Sequence, residues 1–193
     1  MGAYQSAGKR AVFLDRDGVI NRNVWNPASG AYESPLTADQ FELCEGALPA
    51  MQRLRSSGYE LFLVSNQPNY TKGKASLEML DSIHERLTHA LSGAEIQFAA
   101  FYYCLHHPEG MIATHSGQCE CRKPSPYFLL KAKEDFGINL KQSWMIGDRI
   151  SDIECGKAAG TKTVFICTYP FDEVEADFQA HDLCEAASLI LEG

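Results

Sequence analysis

The stretch AVFLDRDGVINRN, residues 11–23, runs four apolar residues into two carboxylates, Asp15 and Asp17, separated only by Arg16. Asp and Gly often terminate strands, so D-x-D-G taken alone is an ordinary turn. Strand geometry sharpens the reading. Residues two apart on a strand point to one face, which crowds both carboxylates into one small volume. Like charges that close are unfavourable unless they share a cation or one acid keeps its proton. A hard divalent ion such as magnesium takes oxygen ligands, and a carboxyl with a raised pKa donates a proton, so either escape is chemistry.

Beyond this stretch, apolar runs alternate with helical patterns, the signature of a parallel sheet carrying helices on its faces. Strands are predicted at 11–14, 59–64, 98–104, 143–146 and 162–167. Helices are predicted at 47–57, at 76–91, from an N-cap at Ser125 and a first-turn Pro126 to Gly137, between the last two strands and near the C-terminus. Four polar clusters directly follow strands: DRDG (15–18), SNQ (65–67), CLHHP (104–108) and GDRISD (147–152). In an open parallel sheet, ligands bind outside the carboxyl ends of the strands, so the four clusters are expected at one rim.

Composition bounds what that rim serves. A chain of 193 residues with 45% hydrophobic content suits one well-buried domain, 1–193. A net charge of −8 argues against a general nucleic-acid or anionic-membrane binder. The start, MGAYQSAGKR, has no apolar leader region, and no segment approaches the roughly 20 apolar residues of a membrane span. A cytoplasmic monomer acting on a small molecule is the expectation. Seven cysteines without a secretion signal favour metal binding over a disulfide framework.

The ordered set FLDRDG (13–18), VSNQ (64–67), CRKP (121–124) and GDRISD resembles the haloacid dehalogenase (HAD) superfamily of phosphohydrolases, over about Ala11 to Cys167. The cysteine and histidine loop and RKP resemble the branch holding heptose-bisphosphate and histidinol-phosphate phosphatases. The resemblance implies a HAD-like Rossmannoid α/β fold, a three-layer α/β/α parallel sheet. It makes Asp15 the nucleophile, Asp17 the general acid/base, Ser65 a phosphate ligand and Lys123 the stabiliser of the phosphoryl group. Asp148 would complete a magnesium site with Asp15 and the backbone carbonyl of Asp17. Asn66 and Gln67, just beyond Ser65, are expected at the substrate, and the planar guanidinium of Arg122, beside the point charge of Lys123, suits bidentate recognition of a second anionic group on it.

These residue types suit that task on chemical grounds. A carboxylate that attacks phosphorus forms an aspartyl phosphate, dividing one difficult hydrolysis into two easier steps. The leaving alkoxide needs a proton, and Asp17, facing the same site, supplies it and later takes one from water. Charge on the phosphoryl oxygens is met by magnesium, Lys123 and donors such as Ser65. Gly147 is expected to leave room beside Asp148. Asp152 is read either as the holder of a metal-bound water or as a helix cap.

Cys104, His106, Cys119 and Cys121 offer three thiolates and one imidazole, a closed tetrahedral set for a structural zinc in an inserted loop, 104–121. His107 and His115 are rival ligands. Cys44, Cys155, Cys167 and Cys184 are expected as buried apolar residues, and His84, His89 and His181 as surface or core residues.

Only 47 residues separate Asp17 from Ser65, too few for a large cap domain. The site should therefore be open, with walls from loops 23–35 and 68–74 and from the zinc loop. Trp25, Tyr32, Tyr70, Lys72, Lys74 and Arg122 suit a phosphorylated sugar, and the resemblance points to the C7 phosphate of a heptose 1,7-bisphosphate. Histidinol phosphate is the alternative, with Glu33 or Asp39 near its ammonium. A polynucleotide 3'-phosphatase is disfavoured by the acidic chain, and a non-enzymatic phospho-accepting module has no use for Asp17.

Overall fold

The computed structural model describes residues 8–167 and 174–192. At its centre lies β1 (Arg10–Leu14), flanked by two strands far from it in sequence, β4 (Tyr59–Asn66) and β6 (Trp144–Gly147). With β5 (Ala100–Cys104), β7 (Lys162–Ile166) and β8 (Phe178–Ala180) they form a six-stranded sheet in the order β5-β4-β1-β6-β7-β8, every pairing parallel.

Both faces of the sheet are covered, which is why β1 reads as an unbroken apolar run. Val12 and Leu14 point into a core built with α1 (Ala47–Ser56), α2 (Leu77–Gly93) and α5 (Leu183–Glu192). Ala11 and Phe13 point to the opposite core, with α3 (Tyr127–Phe136) and Cys155 of α4 (Ile150–Ala159). The predicted three-layer α/β/α architecture is thus observed, and the four polar clusters sit at the carboxyl ends of β1, β4, β5 and β6, the last three overlapping their strands' final residues.

Local chemistry sets the helix ends. The Ser76 hydroxyl accepts from Met79 N–H at 3.2 Å and caps α2, whose Leu80, Ile83, Leu87 and Leu91 are buried at the predicted spacing. Gly137, at φ +69°, ends α3. The cap of α3 is Pro126 rather than the predicted Ser125, whose hydroxyl accepts from Tyr127 N–H at 3.3 Å.

Two elements lie outside the sequence expectations. Part of the predicted 23–35 loop is a hairpin, β2 (Val24–Asn26) against β3 (Ala31–Glu33). The short β8 extends the sheet beyond the last predicted strand. Among the described residues no helix is long and apolar enough to cross a membrane. Residues 1–7, most of the stretch in which no apolar leader is expected, lie outside the described residues.

Candidate active site

The end of β1 is fixed to β6 by a bond from Asp15 N–H to the Ile146 carbonyl at 2.9 Å, which delivers the Asp15 carboxylate to the rim. Lys123 Nζ lies 2.9 Å from Asp15 Oδ1 and 2.6 Å from Asp152 Oδ1, and donates to the Val64 carbonyl at 2.7 Å. Burial alone would lower this lysine's pKa, but Asp15 and Asp152 outweigh burial and hold it raised, so the cation persists. The Asn66 amide grips the Lys123 backbone from both sides, donating to its carbonyl and accepting from its N–H, each at 3.1 Å. Expected at the substrate, Asn66 in this arrangement carries the lysine.

Asp148 and Asp152 follow β6. Gly147 makes its room for Asp152 rather than beside Asp148: a Cβ there would run into the Asp152 side chain. Asp152 combines two roles, accepting from Arg149 N–H at 3.1 Å to cap α4 and pairing with Lys123. Gly18, at φ +84°, lies so close to Asp148 that any Cβ would overlap its carboxylate. Oxygens of Asp15, Asp148 and Asp152 all lie within 4.8 Å of one another.

Three carboxylates face one buried lysine and the exposed Arg149, whose Nε lies 3.9 Å from Asp148 Oδ1, so negative charge is left in excess. Burial, then Asp15 and Asp152, push the Asp148 carboxyl up to about 7. Burial pushes Asp152 up to about 6, with Lys123 opposing and Asp15 adding to the rise. Asp148 Oδ2 accepts from Asn23 Nδ2 at 3.3 Å, whereas its Oδ1 is buried without a hydrogen-bond partner. Clustered oxygens, excess negative charge and an unsatisfied buried acceptor fit a hard divalent cation such as magnesium.

Asp17 turns away from this cluster. Arg16 forks onto it, Nε to Oδ1 at 3.0 Å and Nη2 to Oδ2 at 3.2 Å, while Asn21 donates to Oδ1 at 3.0 Å and Gln67 to Oδ2 at 2.6 Å. Burial would raise its pKa, but Arg16 and these bonds outweigh burial and hold it lowered. Gln67 also donates to the Ser65 hydroxyl at 3.0 Å, so the amide expected at the substrate ties two site residues together. Arg16 went unassigned in the sequence because arginine is ordinarily a surface residue.

The second constellation assembles as predicted. The three sulfurs of Cys104, Cys119 and Cys121 lie 3.2 to 3.7 Å apart, and His106 Nδ1 lies 3.9 Å from Cys104 Sγ and 3.5 Å from Cys121 Sγ. Corners of a zinc tetrahedron with bonds of about 2.3 Å lie about 3.8 Å apart, so this donor set fits zinc. The rival ligands point elsewhere: His107 Nδ1 accepts from Glu109 N–H at 3.1 Å, and His115 Nδ1 meets Thr114 Oγ1 at 2.9 Å. Of the other cysteines, Cys155 and Cys167 are buried, while Cys44 and Cys184 are only partly so.

The surrounding walls are open. Trp25 and Tyr32, 52% and 66% exposed, pack edge to face across the hairpin with centroids 5.3 Å apart. Glu33 pairs with Lys74 at 2.9 Å, joining the hairpin to the 68–74 loop. Bonds from Lys74, Ser29 and Asn26 hold the Glu33 carboxyl down at about 2. Tyr70 packs on His115, and Arg122 Nη1 donates to the His106 carbonyl at 3.2 Å.

Comparison with known proteins bears on this geometry. The family described as HAD-hydrolase-like matches residues 120–186. The D-glycero-beta-D-manno-heptose-1,7-bisphosphate 7-phosphatase of Salmonella typhi is 33% identical over 185 residues, covering 93% of this chain and 94% of that protein. Its namesake in Pasteurella multocida is 35% identical over 161 residues, 83% of each chain. Among solved structures, the D,D-heptose 1,7-bisphosphate phosphatase of B. bronchiseptica, complexed with magnesium and phosphate, superposes with a TM-score of 0.79 at 24% identity. That superposition covers 95% of this chain and 98% of the other. A HAD phosphatase from Thermococcus onnurineus shares the fold at a TM-score of 0.60 and 16% identity, covering 94% and 97%.

Proposed function

The chain belongs to the D-glycero-beta-D-manno-heptose-1,7-bisphosphate 7-phosphatase family of HAD-like hydrolases, and from that premise we propose that it removes the C7 phosphate of a heptose 1,7-bisphosphate through an aspartyl phosphate on Asp15. The observation that supports this most is the Asp15–Lys123 contact of 2.9 Å, a carboxylate and a buried cation meeting at the carboxyl end of the central strand.

Asp15 attacks phosphorus in line with the departing oxygen, and the sugar alkoxide leaves. Asp17, whose pKa its partners hold low, takes up the proton that the phosphate monoanion of the substrate gives up on binding, passes it to that alkoxide, then takes one from the water that cleaves the aspartyl phosphate. Lys123 and the Ser65 hydroxyl meet the phosphoryl oxygens. Asp15, Asp148 and the backbone carbonyl of Asp17 would hold magnesium, with Asp152 beside them; the ion would supply charge neutralisation at the phosphoryl group. Cys104, His106, Cys119 and Cys121 would hold a structural zinc that orders the loop leading into Arg122 and Lys123. Arg122 would meet the second phosphate of the substrate.

Histidinol phosphate is the weaker reading: of its two candidate acids Glu33 is paired with Lys74, which leaves Asp39, exposed in the short 38–40 turn, to meet an ammonium. The test is a panel of heptose 1,7-bisphosphate, other sugar bisphosphates, histidinol phosphate and an aryl phosphate, assayed with magnesium. A specificity constant about tenfold or more higher for the heptose bisphosphate is expected. Equal or better use of histidinol phosphate would overturn the assignment.

A further inference from the structure

Arg16 heads the fully buried side chains by volume among the described residues and is only 1% exposed. Its guanidinium forks onto Asp17 and shares the wall of a cavity of about 270 Å³ with Gln67, Leu80, His84, Phe101 and Tyr103. The Tyr103 hydroxyl lies 3.0 Å from His84 Nδ1, so His84 is a packed member of this cavity. Fold stability gives no reason for a guanidinium here: replacing a buried ion pair by apolar groups is often neutral or favourable.

The geometry at Asp17 does give a reason. Asn21 holds one carboxylate oxygen and Gln67 the other, each through a single bond, and each about a rotatable amide. Among the described residues only Arg16 contacts both oxygens at once, and its planar fork fixes the plane of the carboxylate as two separate amides do not. A misplacement of about 1 Å in a reacting group costs on the order of 100-fold in rate. We propose that Arg16 is a positioning residue: it touches no substrate and sets the aim of the Asp17 carboxylate for proton transfer. This rests on Asp17 acting as the acid/base.

Arg16→Ala and Arg16→Lys, both assayed with magnesium, test it on a sugar phosphate and an aryl phosphate. KM should stay within about threefold while kcat on the sugar phosphate falls about 100-fold. The aryl leaving group departs without a proton, so the first turnover should survive and a burst should precede slow steady-state release. Millimolar guanidinium chloride, filling the space left in Arg16→Ala, should recover about tenfold of the lost rate, with equal sodium chloride or urea ineffective.

Unchanged kcat, or a loss matched by the unfolded fraction and untouched by guanidinium, overturns the proposal. If Arg16→Ala does not fold, Arg16→Lys decides: it keeps the charge and loses the fork, and full kcat in it overturns the proposal equally. Failure of the wild-type protein to hydrolyse the aryl phosphate would count against the phosphatase reading itself, a separate outcome.

Discussion

Asp15 and Asp17 stand one residue apart yet are held by different cations, Lys123 at 2.9 Å from Asp15 Oδ1 and Arg16 at 3.0 and 3.2 Å from the two oxygens of Asp17. Asp17 has Arg16 to itself, whereas Asp15 shares Lys123 with Asp152, so the two acids sit in different electrostatic surroundings, as the separate roles proposed for them require. The crowding foreseen from strand alternation is relieved by turning the second side chain toward Arg16.

Asp15→Asn removes the proposed nucleophile and one of three clustered carboxylates with almost no change in volume. Turnover of phosphate monoesters should fall on the order of 10⁴-fold, with the thermal midpoint unchanged or raised. Steady-state assay with an aryl phosphate measures the first, and a melting curve the second. Retention of a tenth of the activity would exclude a covalent aspartyl route.

The metal-free protein should lose stability as pH rises. Asp148 and Asp152 have ordinary values of 3.8 and are raised in the fold to about 7 and about 6. Between those limits the unfolded chain gives up protons that the folded chain keeps, so the contribution is fully present at low pH and lost as pH climbs through the folded values. Magnesium binds the ionised forms and should raise the melting point more at about pH 8 than at about pH 5. Equal shifts at both would disprove the carboxylate site.

Protein purified without chelators should contain about one zinc per chain by elemental analysis. Cys119→Ser and Cys121→Ser should release it and open residues 104–122 to protease. Wild-type protein without zinc would refute the assignment.

Arg122→Ala should reduce kcat/KM on a sugar bisphosphate by about 2 to 3 kcal/mol and leave an aryl phosphate nearly unaffected. Parallel losses on both would place Arg122 at the transferring phosphate. No loss on either would leave it only its bond to the His106 carbonyl.

The sheet and the clusters at its rim were legible because apolar runs and polar punctuation are local signals. The hairpin escaped because each strand has only three residues, and the Trp25–Tyr32 contact becomes visible only once Gly30, at φ +63°, has turned the chain. The partners of Asn66 and Gln67 escaped for another reason. Lys123 is 57 residues from Asn66, and Asp17 is 50 from Gln67, so no periodicity links them. Arg16 was in plain view in the opening stretch, but residue type alone places arginine at the surface, and its burial follows only from tertiary packing.

The placement of β1 between β4 and β6 also governs how the protein comes into being. One neighbour begins at Tyr59 and the other at Trp144, so the strand bearing Asp15 stays unpaired on one edge until three quarters of the chain has left the ribosome. Parallel pairings this distant must close long loops before any contact rewards the closure, and so are slow to form. No fragment ending before β6 can therefore bring Asp15, Lys123 and Asp148 together. The site comes together only once β6 has joined β1, with β7 and β8 still to follow along the chain.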